Sequence, residues 1–264
     1  MKKQLVIQSD YAGMTYRVTV EYDEDPQNPR DDDNLGTMIY THRDMILGDE
    51  IITTDQRHEA EERCLAKQDK LTTQGVFEEL ALMVGAAFWL PLNYYQHGTQ
   101  CTMKIGTGSN WDNGPVGIIY ITEEKLKHEY GDDYDGYIKK HWPELTTEEK
   151  VEGWLRSEVQ TFAWLLEQET YGFNVEVLTP FEGEVCDCDC GKTGCNKASI
   201  PEPTWESITD IDGMQWGYIG PALPSGMQDA ILWCFDLYDT KLPPPHFKNE
   251  EAEAIYKKIV NFLP

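Results

Sequence analysis

Alternating apolar and polar positions predict strands in the first part of the chain. Residues 5–7 and 14–22 alternate in this way, and the short polar stretch between them predicts a hairpin. In residues 23–34, two prolines among acidic side chains disfavour both a strand and a helix interior, so we expect a loop. Apolar residues resume over 36–42, which we interpret as a third strand.

Apolar residues at helical spacing predict helices further along the chain. The clearest covers 147–169. Thr146 and Glu149 stand three residues apart, so the Thr146 hydroxyl can accept from the Glu149 amide while the Glu149 carboxylate accepts from the Thr146 amide, a pattern typical of a helix start. The other predicted helices are a charged one over 58–70, a buried one over 75–88 that Pro91 ends, one over 122–130 capped by Thr122, and a C-terminal one that begins at Asn249.

Three later segments predict strands, over 116–121, 173–178 and 216–220. Residues 93–109 are rich in glycine and threonine and predict an irregular segment with short strand character near Cys101. Together these elements predict an α+β fold, in which a mixed, mainly antiparallel sheet is flanked by helices. We expect Ile118 and Ile119 in its central strand, with the helix 147–169 packed across it.

The whole chain, 1–264, is predicted to form a single α+β domain. The stretch 180–204 carries clustered cysteines and prolines and fits neither a strand nor a helix pattern. We interpret it as an inserted Cys-rich loop or subdomain.

Acidic residues outnumber basic ones strongly, with 47 Asp and Glu against 22 Lys and Arg and a net charge of −25. Such a charge repels nucleic acid and anionic membranes, and it favours a basic protein surface as partner. The alternative is that the charge only keeps the protein soluble. The sequence contains no apolar run long enough to span a membrane and no signal peptide, and its seven cysteines are an odd number, so we expect a cytoplasmic protein.

Four cysteines lie within ten residues, at Cys186, Cys188, Cys190 and Cys195. Four thiolates can hold zinc tetrahedrally, and the neighbouring glycines would let the chain fold back on itself. The spacing is tighter than that of most structural zinc sites, so a surface loop without metal and a redox role remain alternatives to a zinc site.

Candidate catalytic residues are few and stand near strand ends or glycine turns. They are Asp33, His42, Arg43, His97 and Asp112, with Asp49 as a further candidate. Their spacing indicates no particular reaction, and for His97, next to Gly98, we favour a structural hydrogen-bonded role over a ligand role. The acidic run 31–34 lacks the glycine and terminal glutamate of a calcium loop, so we expect it to be solvated.

Short motifs spread over about residues 21–220 carry a family resemblance. They are Asp33-Asn34-Leu35-Gly36-Thr37-Met38, His42-Arg43, Leu47-Gly48-Asp49, Leu90-Pro91-Leu92 with Tyr95, His97-Gly98, Trp111-Asp112-x-Gly114-x-Val116-Gly117-x-Ile119-Tyr120, Glu129-Tyr130-Gly131 and Trp216-Gly217-Tyr218-Ile219-Gly220. With them the chain resembles an uncharacterised protein family encoded widely in bacteriophages and mobile elements. The family pattern has serines where Thr99 and Asn113 stand here. The resemblance implies a phage or plasmid context, hence the bacterial cytosol, and no activity.

Charge and resemblance together favour an interaction protein that inhibits a host nucleic-acid-targeting defence system, of the anti-restriction or anti-CRISPR type. Its acidic clusters at 21–33 and 123–135 could imitate the phosphates of DNA, provided that carboxylates are spread along one face. The alternatives are a small hydrolase or nucleotide-modifying enzyme, with or without a metal ion, and a structural or assembly protein of the mobile element. Convergence of the candidate catalytic residues in one pocket would favour the enzyme.

Overall fold

The computed structural model describes residues 5–11, 14–42, 44–179, 203–208, 215–221, 226–235 and 247–263. The chain divides into two compact units. The terminal unit combines Met1–Pro26 with Thr170–Pro264, and the central unit is Gln27–Glu169. Each unit has its own mainly antiparallel sheet and its own helices, which confirms the predicted α+β class.

Strands and helices alternate in groups along the described residues. The strands are β1 (Leu5–Tyr11), β2 (Met14–Tyr22), β3 (Thr37–Tyr40), β4 (Glu50–Ile51), β5 (Ala86–His97), β6 (Gln100–Ile105), β7 (Asn113–Thr122), β8 (Thr170–Thr179), β9 (Thr204–Ser207) and β10 (Gln215–Ile219). The helices are α1 (Thr54–Gln68), α2 (Thr73–Met83), α3 (Glu123–Tyr130), α4 (Tyr134–His141), α5 (Thr147–Leu166), α6 (Met227–Cys234) and α7 (Glu250–Phe262), and a 3₁₀ turn covers Pro29–Asp31.

The terminal unit contains an antiparallel sheet in the order β1-β2-β8-β10, and β9 pairs with the C-terminal part of β8. The pairing of β2 with β8 runs from Tyr16 opposite Val177 to Tyr22 opposite Tyr171. Alternate residues of these strands point to one face, so Val18 on β2 joins β8 residues in a core that α6 and α7 complete. The strands predicted over 14–22 and 173–178 are therefore confirmed.

The central unit has three layers: the sheet β4-β3-β7-β5-β6 lies between helices α3, α4 and α5 on one face and helices α1 and α2 on the other. Every pair of strands is antiparallel except β3 with β4. Ile119 on β7 faces a core built with α3, α4 and α5, whereas the adjacent Ile118 faces a core built with α1 and α2. Both isoleucines are fully buried in the middle strand, and α5 packs across the sheet, as predicted.

The segment around Pro91 corrects the prediction from sequence. The helix expected over 75–88 ends at Met83, and 86–97 forms β5, the longest strand in the described residues. Residues 100–105, expected to be largely irregular, form β6. Pro91 directly precedes Leu92, at which the pairing of β5 with β6 begins, so the missing amide proton of the proline interrupts no pairing with β6. Its carbonyl accepts a hydrogen bond of 2.9 Å from the Gly106 amide.

The predicted start of α5 is confirmed in detail. The Glu149 amide donates to the Thr146 hydroxyl at 3.2 Å, and the Thr146 amide donates to the Glu149 carboxylate at 2.8 Å. Helices α4 and α6 were not predicted. Nearly all of the stretch 180–204, including its four clustered cysteines, lies outside the described residues, so the Cys-rich insertion stays a prediction.

Candidate functional site

The candidate catalytic residues divide between the two ends of the central sheet. Strands β3 and β5 both run antiparallel to β7, so the ends of β3 and β5 and the start of β7 lie at the same edge. His42, His97 and Asp112 follow or precede these strand ends and therefore share that edge. Asp33 precedes β3 and lies at the opposite edge, where its carboxylate is 3.8 Å from Lys125 at the start of α3. Arg43 lies outside the described residues.

His97 and Asp112 form a close pair on the surface. His97 Nδ1 lies 3.2 Å from the Asp112 carboxylate, and the two side chains are 69% and 44% exposed. The backbone holds Asp112 in place, because its carbonyl accepts from the Gln96 amide at 2.8 Å and its amide donates to the Asn110 side chain at 3.0 Å. A carboxylate partner requires the proton on Nδ1, which leaves Nε2 of a neutral ring as a free base.

His42 has a different role, which is to order the loop after β3. Its Nδ1 accepts hydrogen bonds from the amides of Asp44 at 3.3 Å and Met45 at 3.2 Å, so a neutral ring carries its proton on Nε2. The ring also meets the edge of Tyr94 at 5.3 Å between centroids. Burial, with a contribution from Cys101, raises the pKa of Tyr94 to about 12, so this phenol stays protonated at neutral pH.

A polar groove opens beside His42 at the carboxyl ends of the parallel strands β3 and β4. Its volume is about 560 Å³, and its walls include the first residues of α1. Crevices at this end of parallel strands often bind ligands. The charged side chains of the wall are already paired along α1, since Arg57 Nε lies 2.9 Å from Glu61 and His58 lies 3.3 Å from Glu62. The groove therefore has polar walls, and among the described residues it brings none of the other candidates to His42.

Arg30 is the centre of a buried charge cluster that the sequence analysis missed. Its guanidinium side chain is 3% exposed and binds Asp49 through two parallel hydrogen bonds, of 2.9 Å from Nε and 2.6 Å from Nη2. Nη1 donates to Glu158 at 2.8 Å, and Nη2 also donates to the Gly36 carbonyl at 2.7 Å. Burial would lower the pKa of Arg30, but the hydrogen bonds to Asp49 and Glu158 outweigh burial and raise it.

The two carboxylates of this cluster also bind backbone amides. Glu158 accepts from the amides of Leu35 at 2.9 Å and Gly36 at 3.0 Å, and Asp49 accepts from the Met38 amide at 2.7 Å. The Arg30 cluster thus joins the loop before β3, the residue before β4 and helix α5. Asp49, a candidate catalytic residue, is occupied here and has a structural role. The sequence signal is a single arginine directly after Pro29 in an otherwise acidic loop.

The outer layer formed by α3, α4 and α5 carries exposed carboxylates without cations. Half of the lysines and arginines of this layer pair along their own helix: Lys127 with Glu123 at 2.8 Å, Lys139 with Asp135 at 2.6 Å and Arg156 with Glu152 at 2.5 Å. Among the described residues, no lysine, arginine or histidine lies within 4 Å of four exposed carboxylates in this layer. They are Glu124, Asp132, Glu144 and Glu148, which we call the acidic surface.

Comparison with known proteins adds no assignment. No family model, curated protein or solved structure matches the chain. Within the described residues no group of three His, Cys, Asp or Glu side chains is arranged to hold a metal ion, and the four clustered cysteines lie outside those residues. None of the described helices is long and apolar enough to cross a membrane.

Proposed function

We propose that this protein binds a basic partner protein through its acidic surface. The observation that carries the proposal is the imbalance on the α3–α5 layer, where Lys127, Lys139 and Arg156 each pair with an acid of their own helix and the acidic surface forms no ion pair with a described cation. Exposed charges of one sign attract an oppositely charged surface and speed its association. The same field repels nucleic acid, so the expected partner is a protein.

The proposed partner is a host complex that binds nucleic acid, in the bacterial cytosol. Such a complex has a basic cleft that grips phosphates, and carboxylates spread over a helical layer compete for that cleft. This role, inhibition of a restriction or CRISPR-type defence enzyme, also fits the phage or plasmid context that the family resemblance implies. The scattering of the candidate catalytic residues supports it, because Asp33 and His42 lie at opposite edges of the sheet.

The test is inhibition of purified defence enzymes by the full chain. Type I restriction complexes and CRISPR effector nucleases are titrated with the protein at low and high salt, and cleavage of duplex DNA is measured. We expect cleavage to fall as the protein approaches the enzyme's concentration, and inhibition to weaken as salt rises, since charge pairing is screened. Unchanged cleavage by every tested enzyme at a large excess of the protein would overturn the proposed anti-defence role.

A charge variant sharpens this test. Replacing all four carboxylates of the acidic surface, as Glu124→Gln, Asp132→Asn, Glu144→Gln and Glu148→Gln, should abolish most of the inhibition. The matched control replaces four acids that form ion pairs along their own helices, Glu59→Gln, Glu61→Gln, Glu152→Gln and Glu253→Gln, and so changes net charge equally. Equal losses of inhibition in both variants would show that inhibition depends on the net charge of the protein and not on the acidic surface.

The second candidate function, a small hydrolase or nucleotide-modifying enzyme, is favoured by one observation. The His97–Asp112 pair has the geometry of a general base, with Nδ1 on the carboxylate and Nε2 directed away from it. Hydrolysis of nucleotides and model esters by the purified chain, with and without divalent cations, tests this function. Activity that Asp112→Asn and His97→Gln both remove would establish it, and equal activity in the two variants and the wild type would reject it.

A further inference from the structure

Two indole rings, of Trp142 and Trp154, contact the ammonium of Lys150 on the α3–α5 layer, and the rings of Tyr130 and Tyr137 pack against these indoles and each other. Trp142 directly follows α4, Trp154 lies on α5, Tyr130 is the last residue of α3 and Tyr137 lies on α4. Tyr130 stacks on Trp154 with centroids 5.0 Å apart and planes only 6° from parallel. Trp142 meets Trp154 at 5.7 Å and 89°, so the two indoles form a corner. We call these four residues the aromatic cage.

The cage already holds a cation from its own chain. Lys150 Nζ lies 4.0 Å from the ring centroid of Trp142 and 5.0 Å from that of Trp154, both within the range of cation–π attraction. Lys150 forms no ion pair with any described carboxylate, although the acidic surface residues Glu144 and Glu148 lie between Trp142 and Lys150 in the sequence. Two indole faces therefore hold this ammonium in place of an acid.

We propose that the aromatic cage is the point at which a lysine or arginine side chain of the basic partner docks, taking the place of Lys150. This inference rests on the proposed function for the nature of the partner. Trp142, Trp154 and Lys150 are half-buried and Tyr137 is 40% exposed, so the cage is open to solvent. The exposed Glu144 and Glu148, which lie between Trp142 and Lys150 in the sequence, attract the incoming positive charge. Lys150 leaves readily because its ammonium is attached to a flexible four-carbon stem and loses only ring contacts.

The exchange gives the acidic surface a specific anchor. Exposed carboxylates alone bind many basic proteins weakly, because each pair in water contributes little. A buried or half-buried aromatic pocket at the centre of an interface contributes more, and Trp and Tyr are typical of such anchors. An arginine or lysine inserted between Trp142 and Trp154 would fix the register of the partner on the acidic charges.

The direct test uses a small cation and its neutral isostere. The full chain is labelled with ¹⁵N, the indole N–H signals of Trp142 and Trp154 are assigned with Trp142→Phe and Trp154→Phe, and tetramethylammonium or tert-butanol is added at constant ionic strength. We expect tetramethylammonium to shift both signals saturably in Lys150→Ala, at a concentration roughly 5- to 30-fold lower than in the wild type, because no resident cation must leave.

Lys140→Ala is the matched control, since Lys140 is exposed, stands on α4 and forms no ion pair with a described residue. It removes the same charge without opening the cage and should leave the wild-type response unchanged. If the Lys150→Ala cage does not respond, or responds equally to tert-butanol, the inference is overturned. Lys150→Gln serves as a second empty-cage variant, so that a loss of fold in one variant does not decide the outcome.

The partner-level test separates this inference from the proposed function. Inhibition of the defence enzyme that responds most strongly is compared for the wild type, Trp142→Leu with Trp154→Leu, and the four-carboxylate variant. Loss of inhibition in the carboxylate variant alone supports the proposed function and overturns the cage as an anchor. Loss of inhibition in both variants supports the proposed function and the cage as its anchor. If the cage binds cations but the chain inhibits no enzyme, the proposed function and the docking role of the cage are both overturned.

Discussion

The central unit uses the same carboxylate chemistry in two contrasting regions. In the Arg30 cluster, Asp49 and Glu158 contact a guanidinium side chain that is 3% exposed, and both carboxylates also accept hydrogen bonds from backbone amides. On the acidic surface, Glu124 and Glu148 are exposed and meet no described cation. A buried charge must be neutralised and hydrogen-bonded, whereas an exposed one is stabilised by water. Burial therefore separates acids that hold the fold together from acids available to a partner.

The His97–Asp112 pair lies between these extremes. Both side chains are largely exposed, yet they are in contact and the turn before β7 orients the aspartate. An exposed contact of this kind contributes little to stability, because water competes for both side chains. Its arrangement is thus free to serve binding or catalysis, which is why it is the observation behind the alternative, enzymatic function.

The largest effect is expected in the Arg30 cluster. Arg30→Met removes the only cation that contacts both Asp49 and Glu158 among the described residues, and should lower the free energy of unfolding by about 3–5 kcal/mol. Urea denaturation followed by tryptophan fluorescence measures it. Arg57→Met is the control, because its ion pair with Glu61 is exposed, and should cost at most about 0.5 kcal/mol. Similar losses in both variants would remove the distinction between buried and exposed charges.

A smaller loss is expected from Glu158→Gln. The amide oxygen can still accept from the Leu35 and Gly36 amides, but the charge opposite Arg30 is lost and an amide donor can face the guanidinium. We expect a loss of about 1–3 kcal/mol by the same denaturation assay. Glu152→Gln lies on the same helix and loses only an exposed pair with Arg156, so it should be nearly neutral. A neutral Glu158→Gln would mean that hydrogen bonding, without charge, holds this loop.

An intermediate case is the start of α5, where exposed groups are fixed by local geometry. Thr146→Ala should cost about 1 kcal/mol, and Thr146→Ser should restore most of it. Hydrogen bonds from the Thr146 amide and hydroxyl hold the pKa of Glu149 below its ordinary 4.5, so NMR titration should show this pKa rising in Thr146→Ala.

The sign of that pKa shift fixes its pH dependence. A carboxyl with a lowered pKa in the folded state stabilises the protein above its unfolded value of 4.5, and this contribution is lost as the pH falls through the folded pKa. Thr146→Ala should therefore make acid unfolding less dependent on Glu149. An unchanged Glu149 titration in the variant would show that the backbone bond alone shifts the pKa.

The smallest effect on stability is expected on the acidic surface. Glu124→Gln with Glu148→Gln should change the free energy of unfolding by less than about 0.5 kcal/mol, because both side chains are exposed and contact no described cation. The same variant should nevertheless weaken inhibition of the defence enzyme. A marked loss of stability would mean that these carboxylates belong to the folded framework.

Sequence patterns predicted those parts of the molecule whose signal is local. The capping residues Thr146 and Glu149, the helix α5 and the buried strand around Ile118 and Ile119 follow from spacing within a few residues, and the structure confirms them. The net charge of −25 is also a property of the sequence alone, and it favours a basic partner over nucleic acid.

Only the tertiary structure decided what depends on distant residues. The helix predicted over 75–88 wrongly includes the first residues of β5. Their spacing fits a helix, but the pairing of β5 with β7 on one side and with β6 on the other makes this segment a strand. Arg30 and Glu158 are far apart in the sequence, so no spacing could reveal their cluster. Tertiary structure likewise brought Trp142 to Trp154, and it separated Asp33 from His42, because strand direction sets the edge at which a residue lies.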